Sequence, residues 1–240
     1  MGLIALALAL AGCGDGGETA PPGPGPGPKG GGVIRVAALG DSITTGSPLW
    51  DPDAAIRAQI PQPDESSQFE YWATRAEEAL EFRNCGVFGE RTDEIALRLE
   101  ECADGADVLI VQGGINDIAQ GRPVEDAAGD LRAMVNRGLQ AGLDTYLVDV
   151  LPWNNGHPGA DEPIAELNRA VLKIGEEEDV EVIGFHDALE DPREPGTMRA
   201  ELTDDGDHPS VAGYRRLGSL VARRIDLTQG ARSASERPAG

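Results

Sequence analysis

Apolar positions in this chain come in short, almost unbroken runs. Residues 33–39 (VIRVAAL), 107–112 (DVLIVQ), 144–150 (DTYLVDV) and 180–185 (VEVIGF) are rich in β-branched side chains, and a weaker run lies at 81–85. Runs that are continuous rather than alternating predict strands buried on both faces. Between them apolar residues recur at helical spacing, over about 68–80, 92–102, 123–141, 161–178 and 209–226. In the last of these Val211, Tyr214, Leu217, Leu220, Val221 and Ile225 share one helical face. Strand alternating with helix predicts an α/β fold, a three-layer α/β/α sandwich around a mostly parallel sheet of five strands, one for each run. In open sheets of this kind ligands bind beyond the carboxyl ends of the strands. The segments just after each run are therefore where chemistry is expected.

Both flanks break the pattern. Residues 3–11 (LIALALALA) form an apolar run that ends in Gly12-Cys13. It is too short to cross about 30 Å of hydrocarbon as a helix, and it fits the core of a signal peptide. Leu10-Ala11-Gly12-Cys13 resembles the bacterial lipobox, which implies lipidation of Cys13 as the first mature residue. Residues 14–32 (GDGGETAPPGPGPGPKGGG) have almost no apolar side chains to offset the entropy of ordering, so they read as a tether. The expected organisation is a signal peptide over 1–12, a lipidated cysteine and tether over 13–32, a folded domain over 33–227, and an unstructured tail over 228–240. Such a chain is expected to be exported and held at the outer face of a bacterial membrane by its lipid alone, with plain secretion as the alternative.

Charge narrows the partners. With 20 Lys+Arg against 42 Asp+Glu the net charge is −22, which argues against a nucleic-acid partner. A monomer is expected, acting on a small-molecule or polysaccharide substrate. Two cysteines lie within the folded domain, Cys85 and Cys102. An oxidising compartment invites a disulfide between them. Cys85 should end a strand, however, and Cys102 the helix that follows, about a dozen ångströms further down. Spacing alone leaves that bridge open.

Chemistry gathers where the strand pattern places it. The first run is followed by Gly40-Asp41-Ser42-Ile43-Thr44 and the weaker run by Asn84-Cys85-Gly86-Val87-Phe88-Gly89. The third is followed by Gly113-Gly114-Ile115-Asn116-Asp117, and just before the last helix stands Asp204-Asp205-Gly206-Asp207-His208-Pro209. Any one of these alone reads as a capping turn or a loop. A serine on a tight turn at a strand end can present its hydroxyl above the sheet, as an ester-cleaving nucleophile requires. Of the three histidines only His208 has an aspartate three residues upstream. His208 is thus the candidate general base and Asp205 its orienter, with Asp204 and Asp207 read as surface or cap acids.

Taken together and in this order, the four blocks resemble those of the SGNH hydrolases, the superfamily that contains the GDSL esterases and lipases. The resemblance spans 33–227 and implies a flavodoxin-like sheet. It also implies an oxyanion hole built from the backbone N–H of Ser42, the backbone N–H of Gly89 and the side-chain amide of Asn116. Glycine suits such a position because it tolerates unusual dihedrals, and asparagine because it donates without bringing a charge. Two loops are expected to shape the pocket, 46–67 and 151–159, with Trp50, Trp153 and Asn154 as candidate substrate contacts.

No Gly-x-Ser-x-Gly, Walker A or HExxH pattern is present. No cofactor or metal is therefore expected. The reaction implied is hydrolysis of carboxylic esters, with short acyl chains favoured because the sequence offers no long apolar lid. Acyl transfer to or from a sugar by the same triad is the alternative, and a noncatalytic binding lipoprotein a second one.

Overall fold

The β-branched runs form five parallel strands in the computed structural model, which describes residues 32–155, 157–225 and 227. They are β1 (Ile34–Gly40), β2 (Leu80–Gly86), β3 (Val108–Val111), β4 (Asp144–Val148) and β5 (Glu181–Ile183). Their order across the sheet is β2-β1-β3-β4-β5, and every pair is parallel. The fold is the α/β sandwich the pattern predicts. Cys13, the signal peptide, residues 14–31 of the tether and the tail from 228 lie outside the described residues.

The helices are short in the first half of the chain and include three long ones in the second. Helices α1 (Ser42–Thr45), α2 (Ala54–Arg57) and α3 (Phe69–Ala76) link β1 to β2. Next come α4 (Thr92–Ile95), a 3-10 turn at Ala96–Arg98, and α5 (Leu99–Ala103). Then follow α6 (Ile115–Ala119), α7 (Val124–Gln140), α8 (Asp161–Glu178), α9 (Phe185–Leu189) and α10 (Val211–Arg224).

Residue parity along each strand sorts the core into two layers. Val36, Ala38, Val108, Ile110, Tyr146 and Val148 pack on one side with Phe69, Phe185, Tyr214, Leu217 and Val221 of α3, α9 and α10. Ala37, Leu39, Leu109, Val111 and Leu147 pack on the other with α4, α5, α7 and α8, through Ile95, Leu99, Leu131, Met134, Leu167 and Val171.

Three local expectations are corrected. The helix expected over 68–80 stops at Ala76, because Leu80 is drawn into β2 opposite Ile34. The strand expected over 180–185 ends at Ile183, and Phe185 opens α9 to bury its ring against Phe69, with centroids 5.5 Å apart. The single helix expected over 92–102 is three short pieces, with a break at Arg98. That break overturns the separation expected for the cysteines. Cys85 and Cys102 form a disulfide with Cα atoms 6.0 Å apart, which staples α5 to β2.

The chain leaves β1 towards one sheet edge to make β2, then crosses back to make β3 on the other side of β1. The order reverses between β1 and β3, and a crevice opens at such a reversal. Ser42 follows β1 and Asn116 follows β3.

Candidate active site

Ser42 is the first residue of α1, at the end of β1. Asp41 caps this helix by accepting the Ile43 N–H at 3.0 Å, and Thr45 Oγ1 donates to the Asp41 carbonyl at 2.9 Å. Gln112, just beyond β3, accepts from both the Asp41 N–H at 3.1 Å and the Thr44 hydroxyl at 2.8 Å. From the opposite side Asn84 donates to the Thr44 carbonyl at 2.7 Å. Gly86 makes this packing possible, since a Cβ there would lie 2.1 Å from the Thr45 nitrogen. The turn is thus fixed from both neighbouring strands.

Burial pushes the Asp41 carboxyl up to about 6, against the opposing pull of the Ile43 amide. Its place in the site is that of a cap beneath Ser42 rather than of a group in the crevice.

His208 Nε2 lies 3.1 Å from Ser42 Oγ, and Nδ1 lies 3.0 Å from Asp205 Oδ2. Asp205 Oδ1 accepts the backbone N–H groups of His208 at 2.7 Å and of Asp207 at 2.8 Å. Partial burial raises the Asp205 pKa, but those two amides and the imidazole outweigh it and hold the carboxyl below its ordinary value. An ionised Asp205 keeps the proton on Nδ1, which leaves Nε2 free to accept from the serine hydroxyl.

The two further candidate donors follow β2 and β3. Gly89 sits in the loop between β2 and α4 with φ +79°, a left-handed conformation that favours glycine. Asn116 Nδ2 donates one hydrogen to the Glu90 carbonyl at 3.0 Å, which sets the amide beside that loop. Among the described residues the Ser42 and Gly89 amides donate to no protein acceptor. A serine hydroxyl with a hydrogen-bonded imidazole, together with uncommitted N–H donors, is equipped for acyl transfer chemistry.

These observations place the chain among known proteins. The sequence matches the GDSL-like Lipase/Acylhydrolase family over residues 38–216, which takes in every residue named so far in this site. The chain belongs to that family. Solved structures of the same fold include a member of the lipolytic protein G-D-S-L family from Veillonella parvula, at 19% identity and a TM-score of 0.64, covering 80% of this chain and 98% of that one. A lipase/acylhydrolase from Enterococcus faecalis is 22% identical with a TM-score of 0.63, covering 83% and 97%. A variant of an acetyl-xylooligosaccharide esterase from Geobacillus is 19% identical with a TM-score of 0.65, covering 82% and 97%. No curated protein matches the chain.

The rim of this GDSL-like site differs in detail from expectation. Trp153 is committed to the protein itself. Its Nε1 donates to Asp207 Oδ1 at 3.0 Å, and its ring stacks on His157 with centroids 3.5 Å apart. His157 Nε2 is in turn 2.5 Å from the same Asp207 oxygen. Asp207, read from sequence as a surface acid, therefore ties the 151–159 loop to the segment that carries His208. Asn154 Oδ1 accepts the Gly159 N–H at 2.9 Å and so closes its own loop. Trp50 has the Arg57 guanidinium over its ring at 4.6 Å.

Sequence reasoning missed Phe88. Its side chain is 64% exposed, next to Gly89 in the chain, with its ring centroid 6.1 Å from that of His208. A large exposed aromatic beside the crevice is a surface a substrate can cover. Among the described residues one group of His and carboxylate side chains is close enough to share a metal ion, His186, Asp187 and Glu190 on and after α9. Glu190 Oε1 there already accepts the Gly196 N–H at 2.9 Å.

Proposed function

We propose that this protein is a serine esterase that cleaves carboxylic esters of short acyl chains through an acyl-enzyme on Ser42. The observation that carries this reading is the unbroken chain from Ser42 Oγ through the His208 ring to Asp205, at 3.1 and 3.0 Å. In the first half-reaction Ser42 Oγ attacks the ester carbonyl carbon while His208 Nε2 takes the hydroxyl proton. The carbonyl oxygen gains charge and is met by the N–H groups of Ser42 and Gly89 and the amide of Asn116. The tetrahedral adduct collapses, the carbon–oxygen bond to the alcohol breaks, and His208 gives its proton to that alcohol. Water then attacks the acyl-enzyme with His208 as base, releasing the acid and restoring Ser42.

An acyl ester of a sugar fits best. The solved neighbours with named substrates include the acetyl-xylooligosaccharide esterase, and Phe88 offers a flat apolar face where the alcohol would depart past His208. We also propose that the protein works outside the cytoplasm on a lipid tether at Cys13. Support comes from the apolar run ending in Gly12-Cys13 and from the Cys85–Cys102 disulfide, a bond that persists in oxidising compartments.

The test is hydrolysis of p-nitrophenyl acetate, butyrate and octanoate, and of acetylated xylo-oligosaccharide, by the full chain. Turnover that is fastest on acetyl esters supports the reading. A folded protein inert on all of them, or one that prefers octanoate, contradicts it.

A further inference from the structure

The loop that carries Gly89 has a weakness. A Cβ built at Gly89 would meet nothing within 4 Å, and Val87 and Phe88 on its amino side are exposed. Packing therefore does little to fix where the Gly89 amide points, whereas donors to an oxyanion must be held to within a fraction of an ångström. Something other than packing has to hold this loop.

The geometry points to Arg98, acting through Glu90, as the positioning residue that sets the oxyanion donors; the inference rests on the serine-esterase reading above. Arg98 stands at the break in the 92–103 segment, where the chain turns its guanidinium inward. Nη1 donates to the Cys85 carbonyl at 2.6 Å, at the end of β2. Nη2 donates to the Gly40 carbonyl at 3.0 Å, two residues before Ser42. Nε and Nη2 grip Glu90 Oε2 at 2.9 and 2.6 Å. Glu90 in turn follows Gly89 directly and offers its carbonyl to Asn116 Nδ2.

One guanidinium thus touches the segments of two oxyanion donors and, one step further through Glu90, orients the third. The Gly40 carbonyl shows the convergence most plainly. It accepts both the Arg98 Nη2 hydrogen and the Val87 N–H, the latter at 3.1 Å, so the nucleophile strand and the Gly89 loop share one anchor. The Arg98–Glu90 ion pair is only 20–25% exposed by side chain, so it is less screened than a surface pair. Lysine has one nitrogen and cannot span these acceptors.

The experiment compares wild type with Arg98→Ala, Arg98→Lys and Glu90→Ala on p-nitrophenyl acetate, with rates referred to sites titrated by a fluorophosphonate. Affinity for phenylboronic acid, which forms a tetrahedral adduct with a nucleophilic serine, is measured beside it. Arg98→Ala and Glu90→Ala are expected to lower kcat by about 10- to 100-fold with KM changed by less than about twofold. The boronate should bind more weakly by the same factor as kcat, and Arg98→Lys should recover little. Among the described residues the Glu90 side chain hydrogen-bonds to Arg98 alone, so Glu90→Ala decides the matter if Arg98→Ala does not fold. Unchanged kcat in a folded Glu90→Ala variant overturns the inference, as does a loss confined to KM. Wild type without Ser42-dependent turnover instead removes the esterase reading beneath it.

Discussion

His208 Nε2 lies 3.1 Å from Ser42 Oγ although 166 positions separate the two residues in the chain. The parallel sheet makes that meeting possible. β1 delivers Ser42 to the carboxyl edge of the sheet, and α10 begins its descent from the same edge, just after His208. Tyr214, on the buried face of α10, donates to the Ser47 carbonyl at 2.9 Å and locks the helix to the loop that follows Ser42. The contact between serine and imidazole is therefore held by the fold and not by the two side chains alone.

Replacing members of this chain should lower kcat far more than KM. Ser42→Ala and His208→Ala are expected to lose on the order of 10⁴- to 10⁶-fold in kcat, and Asp205→Asn about 10⁴-fold. Combining any two should cost scarcely more than the worse single change, because the three act as a unit. Steady-state kinetics of the single and double variants checks this, and additive losses would count against a shared mechanism.

Asn116 tests the oxyanion hole separately. Asn116→Ala leaves the nucleophile and base in place, so esterase activity should persist but fall by on the order of 10²–10³ in kcat. Asn116→Asp should be at least as poor, because a carboxylate faces the developing oxyanion with charge of the same sign. A loss of less than about threefold in either variant would remove Asn116 from the hole.

Phe88 should matter to the alcohol side of the ester. Phe88→Ala is expected to raise KM for an acetylated xylo-oligosaccharide between about twofold and tenfold, the worth of one aromatic contact. KM for ethyl acetate, whose alcohol cannot cover the ring, should be nearly unchanged. Equal effects on both esters would place the ring outside the alcohol path.

Stability should respond to pH through carboxyls away from the crevice. Glu70 in α3 is buried, among the described residues no other residue hydrogen-bonds its carboxylate, and burial pushes its pKa well above the ordinary 4.5 against the pull of its own backbone N–H. Asp41 is pushed from 3.8 to about 6 by the same cause. A carboxyl raised in the folded state binds more protons there than in the unfolded chain. Its contribution is therefore fully present below the unfolded pKa and is lost as pH rises through the folded one. For Asp41 that loss falls between 3.8 and about 6 and is on the order of 3 kcal/mol. Glu70→Gln removes one such slope, so its Tm should gain on wild type as pH rises from 4.5 towards neutrality. Thermal melts across that range check it; a gap that is constant or narrows contradicts the assignment.

How much of this could be read in the sequence depended on the kind of information each feature carries. β1, β3 and β4 were legible because Val36, Val108 and Val148 sit in runs that are buried on both faces. Ser42, Asp205 and His208 were legible because each lies in a short local block at a strand end or a helix start. The break at Arg98 was not, since Ile95, Leu99 and Cys102 keep helical spacing up to and past it. What the Arg98 guanidinium meets there is a set of acceptors on β1, β2 and Glu90, 58, 13 and 8 positions away and none on the same helical segment. The Cys85–Cys102 bridge depends on the same break. Asp207 and Phe88 escaped for a further reason: an acid beside Asp205 and an aromatic in a loop have no period, and only their neighbours in space give them a role.

Covalent labelling measures the central claim most directly. The full chain is treated with a fluorophosphonate, then digested and mapped by mass spectrometry, with Ser42→Ala and His208→Ala beside it. A single adduct on Ser42 in wild type, none in Ser42→Ala and much slower labelling in His208→Ala is the result expected. An adduct on another residue, or labelling of Ser42 at the same rate without His208, would contradict a nucleophile at Ser42 activated by His208.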